Sequence, residues 1–183
     1  MTAAVNNRRT NIMRTIRTKV YKFDELSKEA QNAAINSNYD INVFFDWWDY
    51  TYEDAKNIGL KITSFELDRN RKADGDFLLS ANEVAANIFR DHGEHCETYK
   101  TALDFIELWQ PIFNNYMDEN HKDYESAESE SKLIEIEEDF LKSLLEDYSI
   151  TLQNESEYLQ GEEAIKETLI ANEYEFLQTG KRF

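Results

Sequence analysis

Residues Val43–Leu67, VFFDWWDYTYEDAKNIGLKITSFEL, decide the fold class. In the first part Phe44, Trp47, Trp48, Thr51, Ala55 and Ile58 recur at helical spacing, which predicts a helix over 43–58. Gly59 follows where a helix commonly ends in a left-handed glycine. The period then changes. Leu60, Ile62, Ser64 and Glu66 alternate with Lys61, Thr63, Phe65 and Leu67, the two-residue repeat of a strand. A helix turned into a strand at one glycine predicts an α+β chain.

Working outward, the alternation of Ile16, Thr18 and Val20 up to Tyr21 predicts a strand of about eight residues starting at Arg14. Asp24 and Ser27 are candidate N-caps for a helix through KEAQNAAIN. On the other side, DRNRKADGD (68–76) reads as a polar loop. Ser80 and Glu83 form a capping box, with the helix behind them ending near His92-Gly93. A further helix spans 98–117, kinked or split at Pro111. Residues 118–130 read as a mobile acidic connector. Residues 131–159 form the longest helix, with Leu133, Ile136, Phe140, Leu141, Leu144, Tyr148 and Leu152 along one side. A short helix, GEEAIKETLIANEY (161–174), precedes EFLQTGKRF (175–183), which is placed to close the sheet as a third strand. The expectation is a mostly helical α+β fold with helices packed on one small antiparallel sheet of about three strands. Residues 1–12 read as a flexible basic arm and 13–183 as a single acidic domain.

Composition bounds the function. The 183 residues hold 20 Lys and Arg against 37 Asp and Glu, a net charge of −17. That balance argues against direct nucleic-acid binding, which needs cations to displace phosphate counterions, and against docking on anionic membranes. With 11 Phe, 10 Tyr and 3 Trp the chain has enough apolar surface for a core. The single cysteine, Cys96, forms no internal disulfide and fits a reducing interior. No run approaches the ~18 apolar residues of a membrane span, and no apolar leader is visible. The charge is uneven: residues 1–31 carry a net +4, 32–116 carry −8 and 117–183 carry −13.

Three segments, YKFDELSKEAQNAAI, DWWDYTYEDAKNIGLKITSFELDR and LLEDYSITLQNESEYLQGEEAIKETLIANEYEF, together resemble a family of small acidic proteins that recur in bacteriophage and prophage genomes. The resemblance runs from Arg14 onward. It implies a viral protein acting in the bacterial cytoplasm, with interference with a host nuclease or other defence protein as its expected role. Its motifs mark the family, not an activity, and carry over no catalytic residue.

Four sets of residues are candidates for contact or chemistry. On the long helix Glu135, Asp139, Glu146 and Glu157 fall opposite the apolar stripe and span roughly 33 Å at about 1.5 Å per residue. Asp46, Asp49 and Glu53 form a similar row on the predicted helix over 43–58. Such rows equally serve solubility, but a net charge of magnitude ~2–8 meets that need in a small domain. His92, His95 and Cys96 are the candidate soft-metal ligands, set against a plain helix–helix corner with Cys96 packed inward. The aromatic run 44–52 exceeds what one helix face buries. Core packing accounts for Phe44, Trp47 and Trp48, leaving Phe45, Tyr50 and Tyr52 for an exposed contact or a second covered face.

No GxGxxG, GxxxxGK[ST], GxSxG or HExxH motif is present, so no catalytic residue or cofactor is expected. The leading expectation is a non-enzymatic inhibitor that binds a basic host protein, with its acidic faces imitating nucleic acid. The second is an interaction module of another kind, an antitoxin-like neutraliser or phage regulatory partner, that uses its aromatics. A metal-dependent enzyme is the third. The basic arm, with Arg8, Arg9, Arg14 and Arg17, is also suited to touch the acidic body of a second copy and favour a homo-oligomer.

Overall fold

Gly59 lies where the change of period puts it. Its φ of +96° ends helix α2 (Asp49–Ile58), and strand β2 (Leu60–Glu66) starts at the next residue. The computed structural model containing this junction describes residues 15–117 and 123–183. The expected arm, residues 1–12, and residues 118–122 of the expected connector lie outside the described residues. Before α2 come strand β1 (Tyr21–Lys22), a single 3-10 turn and helix α1 (Lys28–Ser37). After β2 come strand β3 (Lys72–Phe77) and helices α3 (Ala81–Asp91), α4 (Glu97–Tyr116), α5 (Asp123–Leu159) and α6 (Glu162–Ala171), then strand β4 (Glu175–Phe176). The chain is α+β and dominated by helix, with antiparallel pairing throughout.

The strands differ from the sequence reading. They form two separate two-stranded ribbons, β1 with β4 and β2 with β3, in place of one three-stranded sheet. The segment read as a loop is the missing partner: Lys72–Phe77 pairs with Leu60–Glu66 as a hairpin, Leu60 opposite Phe77 and Glu66 opposite Lys72. Its apolar content is low, with Ala73 its one buried residue, so alternation alone does not reveal it. Gly75 sits beside the register shift at Ile62/Ser64, where a Cβ would meet the Lys61 carbonyl oxygen at 2.3 Å. The strand expected from Arg14 shrinks to Tyr21–Lys22, because β4 offers only two residues to pair with.

The helices lie close to their expected positions. Ser27 accepts the Ala30 N–H as the N-cap of α1. The Ser80 N–H donates to the Glu83 carboxylate at 3.1 Å, the return half of the capping box. Helix α4 runs through Pro111 as one element. Helix α5 starts at Asp123, so residues 123–130 are helical, not connector. The segment 43–48 is turn and bend rather than the first turns of α2.

The described chain divides into two compact units. The smaller joins the residues up to Tyr39 with Ile165–Phe183. Here Phe23 packs edge-on against Phe176, with ring centroids 6.2 Å apart, and Phe176 is fully buried. Gly180, at φ +83°, fits a turn where a Cβ would stand 2.1 Å from the Ala30 carbonyl oxygen. The larger unit, Asp40–Ala164, holds the β2–β3 hairpin and α2 to α5. Its core gathers Ile58, Leu60, Val84, Ile88, Phe105, Phe140 and Leu144, all nearly solvent-free. Helix α5 packs along α4 and under β3, which buries the stripe centred on Phe140, Leu144 and Tyr148.

Candidate functional site

The loss of the first turns of α2 rearranges the aromatic run. Trp47 is buried and Trp48 half-buried. Both rings meet Phe65 edge-on, at 5.7 and 5.4 Å between centroids. Tyr52 joins them at 6.2 Å, so it belongs to this aromatic cluster and not to an open surface. Phe44, expected in the core, is 79% exposed, because the turn that carries it does not follow the helical phase. Phe45 stands against it edge-on and is 54% exposed, and Tyr50 is 82% exposed. Asp49 and Glu53, one helical turn apart, share the outward side of α2 with Tyr50, away from the buried Thr51, Ala55 and Ile58. Asp46 is exposed in the preceding turn rather than on the helix. Among the described residues, none of Asp46, Asp49 and Glu53 has an ion-pair partner within 4.0 Å.

The row on α5 is exposed at all four positions, but its charge is partly spent inside the molecule. Arg71, at the start of the β3 arm of the hairpin, pairs with Glu146. It also donates to the Ser149 hydroxyl at 3.1 Å and to the Gln153 side-chain amide oxygen, Oε1, at 2.9 Å. Lys142 pairs with Asp139 at 2.9 Å, and this carboxylate raises the ammonium above its usual range. Glu157 accepts from the Gln153 amide at 2.8 Å. Of the four, Glu135 and Glu157 alone lack a cation within 4.0 Å among the described residues.

A third arrangement links four helices. His92 ends α3, and its Nδ1 lies 2.7 Å from the Thr98 hydroxyl in the first turn of α4. Its Nε2 lies 3.6 Å from Oδ1 of Asp54 on α2. The Tyr148 hydroxyl of α5 donates to Oδ2 of the same carboxylate at 2.8 Å. The contact with His92, assisted by the Tyr148 donor and opposed by partial burial, holds the Asp54 carboxyl below the usual carboxylate range. Burial and the neighbouring Asp54 push the Tyr148 phenol far above its ordinary range. Asp147 beside it is raised by burial, against the bond it accepts from the Thr101 hydroxyl at 2.7 Å. Asp54, His92, Thr98, Asp147 and Tyr148 line a cleft of about 430 Å³. Each of these side chains has an internal partner, so the arrangement staples the four helices together, and the exposed Cys96 thiol lies on the same cleft.

His95 and Cys96, the other candidate ligands, are exposed, and Cys96 is the N-cap of α4 instead of packing inward. Among the described residues no group of three or more His, Cys, Asp and Glu side chains converges as metal ligands would. Nor is any helix among them long and apolar enough to cross a membrane. Sequence reading missed the pairing of Arg71 with Glu146, because the partner lies 75 residues away. The Asp139–Lys142 pair, three residues apart on one helix, carried a readable signal. No family model matches this chain, and neither a curated protein nor a solved structure matches it.

Proposed function

We propose that this chain is a protein-binding module whose contact surface is the segment 44–53, and that its partner presents a basic surface with apolar recesses. One observation carries the reading. Three carboxylates without an ion-pair partner among the described residues, Asp46, Asp49 and Glu53, occur beside three exposed rings, Phe44, Phe45 and Tyr50. Large exposed aromatics are the usual anchors of protein interfaces, and surrounding charge selects the partner and speeds encounter. The helix α5 row supports nucleic-acid imitation less well, since Lys142 and Arg71 already neutralise two of its four carboxylates. On the phage-family resemblance, the expected partner is a bacterial host protein and the expected consequence is its inhibition.

The test is capture from bacterial lysate at low and high salt, with the wild-type chain beside a Phe44→Ser/Tyr50→Ser variant. A basic protein held by the wild type, released by salt and absent from the variant, supports the proposal. Equal capture by both chains, or capture indifferent to salt, removes it.

A further inference from the structure

A second concave surface lies on the larger unit, between α4 and α5. Its floor is Phe105 and Phe140, whose rings stack with centroids 4.1 Å apart. Leu108 and Ile136 form its walls, and Asp104 and Asp139 stand at its rim. The volume is about 170 Å³. Pockets for whole small-molecule ligands run to roughly 300–1,000 Å³, whereas a hole of ~150 Å³ holds one benzene-sized group. The groove is therefore sized for a single side chain.

We propose that this groove receives one arginine side chain of the partner, an inference that rests on the reading of a basic protein partner given above. The apolar walls need a stem to cover them. Leu108 is 62% exposed, far from what its size favours, and three methylenes laid along it would remove that surface from water. The rim needs a cation. Asp104 has no ion-pair partner among the described residues, while Asp139 is already shared with Lys142. A wholly apolar occupant would crowd Asp104 and strip its hydration without replacing it. Between the two cationic side chains, lysine keeps a tightly held water shell. The guanidinium is weakly hydrated, lies flat against apolar and aromatic walls and offers several donors to a carboxylate.

The test is an NMR titration of the full chain with Nα-acetyl-arginine amide, with Nα-acetyl-norleucine amide in parallel. The arginine derivative is expected to shift the signals of Leu108, Ile136 and Ser143 saturably. Asp104→Asn, at an exposed position that does not endanger folding, is expected to weaken it about fivefold, the upper range for an exposed ion pair. Leu108→Ser should weaken it as well. Absence of shifts in the groove overturns the proposal. So does equal binding of the norleucine derivative, or shifts that follow protein concentration alone and mark a second copy as the occupant. Residues 44–53 take no part in this readout, so loss of partner capture in the Phe44/Tyr50 variant and loss of arginine binding are separate failures.

Discussion

Tyr148→Phe isolates the contact that joins α5 to α2. The substitution deletes one hydroxyl and keeps the ring, so it opens no appreciable cavity in a residue that is 2% exposed. What it removes is a 2.8 Å hydrogen bond to the Asp54 carboxylate. Bonds to charged partners contribute about 1.5–3 kcal/mol. The Asp54 side chain is 53% exposed, so water replaces the lost donor and the value falls to about 1–1.5 kcal/mol at pH 7. At a few degrees per kcal/mol for a chain of this length, the melting temperature should drop by about 2–5 °C. All three tryptophans, Trp47, Trp48 and Trp109, lie in the larger unit, so urea unfolding followed by fluorescence reads the right transition.

The pH dependence follows from the sign of the shift. Asp54 has a lowered folded value, so its stabilisation is present above the ordinary value of 3.8 and is lost as pH falls through the folded one. The Tyr148→Phe penalty should therefore shrink towards pH 3. A double-mutant cycle at pH 7 with Asp54→Ala, which removes the acceptor, should return a coupling close to the single penalty. A penalty of the same size at pH 3 and pH 7, or a cycle with zero coupling, would refute the reasoning and assign the effect to ring packing.

Three further outcomes are expected. Leu144→Ala, at a fully buried position on α5, should cost about 3–5 kcal/mol in urea unfolding, since the packed elements around it relax only partly. Gly180→Ala should destabilise the smaller unit by at least about 2 kcal/mol, because its φ of +83° and the Ala30 carbonyl 2.1 Å from the new Cβ both oppose it; amide exchange of β1 would report the loss. Asp147 has a raised folded value, so its ionisation removes stability as pH rises through that value. Asp147→Asn still accepts the Thr101 hydroxyl, and should raise the melting temperature at pH 7 while leaving it nearly unchanged below the ordinary carboxylate range.

What could be read in advance depended on how local the governing force was. Ser27, Gly59 and Ser80 mark helix boundaries through bonds made within four residues, and the structure keeps all three. The β2–β3 hairpin is different. Lys72–Phe77 has little apolar alternation, and its place is set by pairing with Leu60–Glu66 and by Arg71 reaching α5. The aromatic run failed for a related reason. Phe44, Trp47 and Trp48 fit a helical template, yet Trp47 and Trp48 are placed by Phe65 on β2, and the backbone of 43–48 turns to bring them there. Tyr50 needed only the phase of α2, and its exposure was readable; Tyr52 required knowledge of Phe65.

The division of the chain also sets an order of events during synthesis. The larger unit is continuous in sequence and is complete once Ala164 has left the ribosome. The smaller unit is not: β1 and α1 are made early, but Lys22 contacts Glu173 across 151 residues of chain, and Tyr21 waits for Phe176. Until then Phe23, which is 2% exposed in the finished fold, has no Phe176 to cover it. The first strand thus stays an unpaired edge while the chain between it and β4 is made, a condition in which a nascent chain is open to chaperones and to pairing with a neighbour.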